Sequence, residues 1–117
     1  MSSIRTDKVF LNDIIEAADA IQLFITGARR DDFMLDDRTR SAVLYKLTVI
    51  GEAARRVSKE LRARQSAVEW GDIIGLRNIV VHAYFGVDWH TIWVTATSDV
   101  PALRKEISDI LVREYPQ

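Results

Sequence analysis

Residues 5–26 read RTDKVFLNDIIEAADAIQLFIT. Phe10, Ile14, Ala17, Ile21 and Phe24 recur in that stretch at steps of three and four. Such spacing puts them on one face of an α-helix and is incompatible with the two-residue alternation of a strand. Gly27 follows as a natural C-terminal stop. Further along, Val43, Leu47, Ile50, Ala54, Val57 and Leu61 draw a second stripe, predicting a helix over 38–64. Gly51 sits inside it, where glycine costs about 1 kcal/mol relative to alanine, so a close crossing with another helix or backbone is expected there, the alternative being a cost the helix simply tolerates. Between these helices, residues 27–37 read as a polar connection pinned by Phe33, Met34 and Leu35, with Asp36 or Asp37 capping the next helix.

The second half of the chain carries the same period. A third helix begins near Trp70-Gly71-Asp72, continues through Ile73, Leu76, Ile79, Val80 and Ala83, and ends at Gly86. Asp88 caps a fourth, marked by Trp89, Ile92, Trp93, Ala96, Leu103, Ile107, Ile110 and Leu111. Pro101 falls inside that pattern and predicts a kink or short break near residues 97–99, with Ser98 or Asp99 recapping. Residues 115–117 read as a frayed end. The fold class is therefore all-α: an antiparallel bundle of four helices, five if Pro101 breaks the last.

With 117 residues, the chain has room for one core, and a single domain over 1–117 is expected. It has no cysteine, which excludes disulfide scaffolds, thiolate metal sites and thiol nucleophiles. With only His82 and His90, a metal site would have to be rich in carboxylates; none is expected, nor any cofactor. The N-terminus lacks a signal core, and the longest nearly apolar stretch, residues 79–87, is too short to span a bilayer. A cytoplasmic protein without membrane contact is expected. Net charge is −1, unlike a nonspecific nucleic-acid coat protein, but charge is segregated. Residues 1–37 hold eight acids and four bases, whereas AARRVSKELRAR at 53–64 holds five bases and one acid. An anion-facing surface beside an acidic one can result. The many aromatic residues also strain so small a core, which favours a homodimer.

One segment, GLRNIVVHAYFG at 75–86, places Arg77, Asn78, His82 and Tyr84 in an otherwise apolar helix. These polar groups need partners, a cleft or a second subunit. On a regular helix Arg77 and Tyr84 nearly align, as do Asn78 and His82, while Arg77 and His82 diverge by about 140°. Joint action on one anion then needs a curled arginine, an irregular helix, or a two-fold axis bringing one subunit's His82 near the other's Arg77; the axis is the preferred solution. The available chemistry is metal-free RNA cleavage. Histidine can exchange protons with a ribose 2′-hydroxyl or a leaving 5′-oxygen, and arginine can stabilise charge on the phosphorane. Asn78 can orient His82 or contact phosphate; Tyr84 can bond phosphate, stack on a base or cap the core. The basic run from Arg55 to Arg64 can track an RNA backbone if it borders the same cleft. Glu52 reads as an ion-pair partner of Arg77 or another arginine, or as a group that helps position the site, and not as a catalytic residue. Arg38 and Arg40 are cleft or surface residues.

RNIVVHAY fits the R-x4-6-H signature of the HEPN superfamily. The ordered set of Ile50-Gly51-Glu52-Ala53, Trp70 to Asn78, His82-Ala83-Tyr84, Val87-Asp88, Ile92-Trp93 and Pro101-Ala102-Leu103 resembles the HepT-like toxins over nearly the whole chain. The resemblance implies a homodimeric, metal-independent endoribonuclease, the toxin of a bacterial type VII-like toxin–antitoxin pair. Its partner would be a small nucleotidyltransferase of the MNT type that silences the toxin by AMPylation of the motif tyrosine. Carried over, Arg77 and His82 are the catalytic pair, Asn78 the supporting residue and Tyr84 the modification target. The alternatives are a non-catalytic HEPN bundle that binds a nucleotide or a nucleotidyltransferase, and a purely structural dimerisation bundle.

Overall fold

A computed structural model describes residues 6–79, 86 and 88–117. Every element among them is helical: α1 (Asp7–Ile25), α2 (Arg30–Met34), α3 (Asp37–Arg56), α4 (Lys59–Arg64), α5 (Trp70–Gly75), a 3-10 turn (Leu76–Asn78), α6 (Trp89–Val94), a π turn (Thr95–Asp99) and α7 (Val100–Glu114). The long pair α1 and α3 forms the centre of the bundle, and α7 packs along α1. None of the described helices is long and apolar enough to cross a membrane.

The two stripes read from the sequence form the core. Ile14, Ala17 and Ile21 of α1 are buried against Val43, Leu47, Ile50 and Ala54 of α3, while Phe24 is half-buried and Ile25 takes the last inward position. Ile92, Ala96, Leu103, Ile107 and Ile110 close the core from the C-terminal side. The caps follow ordinary chemistry. Thr6 accepts from Val9 N, Asp36 Oδ1 from Thr39 N at 3.1 Å, and Asp88 Oδ1 from His90 N at 2.9 Å.

Four expectations need correction. The connection at 27–37 contains α2; within its presumed pin Phe33 is buried but Leu35 is 88% exposed. Phe33 sits in an aromatic nest, its ring centroid 5.2 Å from Trp93 and 6.3 Å from Trp89. Arg40 stacks over the Trp89 ring at 4.7 Å, so it is a packing residue and not a plain surface one.

The helix expected over 38–64 is broken at Val57, whose ψ is 138°. Ser58 restarts the chain as the cap of α4, and the Asp7 carboxylate accepts from Ser58 N at 2.8 Å and from Ser58 Oγ at 2.6 Å. The break is thus held by the first residue of α1, from a distance of 51 positions in sequence.

Pro101 causes no recapping. Asp99 keeps helical angles and makes no side-chain cap. The wider π turn ahead of the proline accommodates its ring and missing N–H without ending the rod. Finally, Tyr115 is not frayed: it is half-buried, with Lys8 Nζ 5.8 Å from its ring centroid, and burial pushes its phenol pKa up.

Candidate active site

The site is built on the crossing of α3 and the 3-10 turn. A Cβ on Gly51 would stand 2.6 Å from Arg77 N, 3.0 Å from Arg77 Cγ and 3.1 Å from Ile73 O. Only glycine permits that approach, which accounts for a helix-weakening residue in the middle of α3. The next residue, Glu52, reaches across the crossing, and its Oε1 lies 3.0 Å from Arg77 Nε.

Glu52 also gathers the start of the basic run. Arg55 Nη2 donates to its Oε2 at 2.8 Å and Arg55 Nε to its Oε1 at 3.3 Å, while Arg56 Nε donates to Oε2 at 2.9 Å. Both carboxylate oxygens are therefore engaged. The hydrogen bonds from Arg55 and then Arg56, with the charges of Arg55 and Arg77, hold the Glu52 carboxyl at about 2. It stays ionised at any physiological pH, so general acid–base work is excluded and the reading as an ion-pair partner stands. Three guanidiniums on one carboxylate leave a net positive cluster. Their side chains are 41–54% exposed, so each retains a face open to solvent.

Arg62 and Arg64 of the basic run go elsewhere. Arg62 Nε donates to Val57 O at 3.1 Å, and Arg64 pairs with Glu114 at 2.8 Å. The break at Val57 separates the two halves of the run, and only Arg55 and Arg56 join Arg77. Sequence reading placed them in a basic stretch without seeing this association. The signal was present in the spacing, because Glu52 stands three and four residues ahead of them on one helical flank.

Arg77 and Asn78 both lie in the 3-10 turn and are exposed. His82 and Tyr84 lie outside the described residues. The apolar members of this region are less covered than a central bundle helix should be: Ile73, Ile74, Leu76 and Ile79 are all only half-buried.

Two grooves border these residues, one beside Glu52 and Arg56 and one beside Ile73 and Leu76. One, of about 360 Å³, is lined by Phe10, Asp13, Thr48, Val49, Ala53 and Arg56 beside Glu52. The other, of about 380 Å³, runs between α5 and α7 and carries Glu69, Asp72, Asp99 and Glu106 around an apolar floor, with no base in its lining. Carboxylates repel a polyanion, so the second groove is the wrong surface for RNA although it is the larger.

The sequence pattern of the ribonuclease HepT-like family matches residues 14–110, an interval that contains the whole crossing. The chain belongs to the ribonuclease HepT-like family. A provisionally named RNase of Methanocaldococcus jannaschii is 37% identical over 105 residues, 90% of this chain and 96% of that relative. A similarly named RNase of Caldanaerobacter subterraneus is 32% identical over 111 residues, covering 95% and 99% of the two chains. A provisionally named ribonuclease HepT of Thermococcus cleftensis is 34% identical over 100 residues, or 86% and 91%. No solved structure matches at a significant level. The expected enzyme class, a ribonuclease on an all-helical HEPN bundle, agrees with this family. Within the HepT-like frame, the Ile50–Ala53 segment and the Leu76–Asn78 segment are one physical unit: the first supplies the notch and the carboxylate that receive the second.

Proposed function

We propose that the chain is a metal-independent endoribonuclease, the toxin of a HEPN/MNT toxin–antitoxin pair, formed by one HEPN domain over 1–117 and needing no cofactor. The observation that carries the reading is the anchoring of Arg77: a backbone crossing at Gly51 and the Glu52 carboxylate hold this exposed guanidinium at a net positive site in a chain of the ribonuclease HepT-like family. An arginine so held is pre-oriented to stabilise negative charge on a phosphorane through parallel hydrogen bonds. His82 exchanges the proton of the attacking 2′-hydroxyl or of the leaving 5′-oxygen, with Asn78 in support. The product carries a 2′,3′-cyclic phosphate or its hydrolysed form.

The enzyme is a cytoplasmic homodimer whose two-fold axis runs beside the α5 region. The half-buried Ile73, Ile74, Leu76 and Ile79 support this, since they offer apolar surface to a second copy. The antitoxin is a nucleotidyltransferase that places AMP on Tyr84, blocking the cleft with a phosphate and a base. The test is co-production with the neighbouring nucleotidyltransferase, followed by intact mass and RNA cleavage. The expected result is a mass gain of one AMP at Tyr84 together with loss of cleavage. A protein that gains AMP at Tyr84 and cuts RNA undiminished would contradict the silencing; one that never cuts RNA in any state would contradict the enzyme.

A further inference from the structure

The cluster around Glu52 has no adequate explanation in stability. Exposed ion pairs contribute only about 0–1 kcal/mol each, and crowding three guanidiniums onto one carboxylate sets like charges against one another. Arg55, Arg56 and Arg77 are 44%, 54% and 41% exposed, so none is hidden in the fold. Glu52 meets Arg56 and Arg77 through Nε, the inner nitrogen, but takes Arg55 through both Nε and Nη2, so that Arg55 keeps its Nη1 for an anion. Among the described residues, no hydrogen bond is made by the terminal amino groups of Arg56 or Arg77, so none of these residues occupies them against an anion. Arginine forks match phosphate oxygens in two parallel bonds, a geometry lysine cannot copy.

We infer that Arg55 and Arg56, gathered with Arg77 on Glu52, form a phosphate-binding subsite for the RNA strand beside the scissile bond, and that Glu52 is the positioning residue for Arg77. The inference rests on the ribonuclease reading above. Arg77 faces the reacting phosphate, while Arg55 and Arg56 take a neighbouring phosphate of the same strand. Binding at this subsite is independent of base sequence and sensitive to salt.

The test uses the full-length protein and a fluorescein-labelled single-stranded RNA carrying 2′-O-methyl groups, which binds without being cut. Affinity is measured against salt concentration for the wild type, for Arg55→Ala/Arg56→Ala and for Lys105→Ala as a charge control on α7. Two lost phosphate contacts lower the slope of log affinity against log salt by about 1.4, or about 25-fold in affinity at 0.1 M salt referred to 1 M. Lys105→Ala is expected to keep the slope. In parallel, Glu52→Gln is assayed on cleavable RNA. Removal of one negative charge is expected to keep or tighten RNA binding, while the cleavage step falls about 10–100-fold because Arg77 is no longer oriented. A merely structural glutamate would weaken both, and that result overturns its positioning role. A wild type that cuts RNA, with an unchanged slope in the double variant, overturns the subsite alone. A wild type that neither binds nor cuts RNA overturns the subsite together with the ribonuclease reading.

Discussion

Alanine at Gly51 is the sharpest perturbation of the crossing. The added Cβ would meet Arg77 N at 2.6 Å, whereas ordinary contact begins at 3.4 Å, so the 3-10 turn must retreat by about 0.8 Å. The obstacle includes two backbone atoms, Arg77 N and Ile73 O, and no rotamer change relieves it. Overpacking of this kind costs about 1–3 kcal/mol, against a gain of about 1 kcal/mol in helix propensity. A net loss of up to about 2 kcal/mol is expected, lowering Tm by up to roughly 10 °C. The effect on activity is larger: a displacement near 1 Å at a catalytic group can cost about 100-fold. Urea titration gives the stability, and single-turnover cleavage of a labelled RNA gives the rate. Gly71→Ala is the control, because nothing lies within 4 Å of its Cβ position, and it should be neutral or slightly stabilising. If Gly51→Ala is as stable as Gly71→Ala and cuts RNA at the wild-type rate, the crossing does not set Arg77 and the argument built on it fails.

Three further outcomes follow from the packing and the charges. Asp7→Ala removes the carboxylate that holds the Val57–Ser58 break, and a loss of about 1–2 kcal/mol in urea titration is expected. Phe33→Ala empties the aromatic nest and should cost about 3–5 kcal/mol, whereas Leu35→Ser, next to it but one and 88% exposed, should stay within about 0.5 kcal/mol. Because the Glu52 carboxyl is lowered from 4.5 to about 2, its contribution to stability is complete above pH 4.5 and disappears as pH falls toward 2. It is 37% exposed, so screening reduces that contribution to about 1 kcal/mol or less. Urea midpoints measured between pH 6 and 2.5 should fall less steeply for Glu52→Gln than for the wild type.

The apolar stripes were legible because helical period is a local property: Ile14, Ala17, Ile21, Val43, Leu47 and Ile50 are all buried where the spacing put them. The break at Val57 was not legible, because it depends on Asp7 at the far end of the sequence. Pro101 was read correctly as a disturbance near residues 97–99, a kink or a short break, but the recapping by Ser98 or Asp99 does not occur, since a π turn absorbs the proline and no local rule selects that outcome over a new cap. Gly51 announced a close crossing through its propensity cost alone. The partner in that crossing, the backbone of Arg77, could come only from tertiary structure. The same holds for Glu52: an acid in an apolar stretch announces an ion pair, while the convergence of three arginines on it depends on where α3 meets the 3-10 turn.

The central claim is that Arg77 and His82 cut RNA without a metal. Its most direct test is cleavage of a defined single-stranded RNA by the purified, unmodified protein in EDTA, with Arg77→Ala and His82→Ala beside it and the product ends identified by mass. The expected result is cleavage by the wild type alone, leaving 2′,3′-cyclic phosphate or its hydrolysed product, with each variant reduced by at least about 100-fold. Cleavage that persists in both variants, or intact RNA with a wild type shown to lack AMP, would contradict the account.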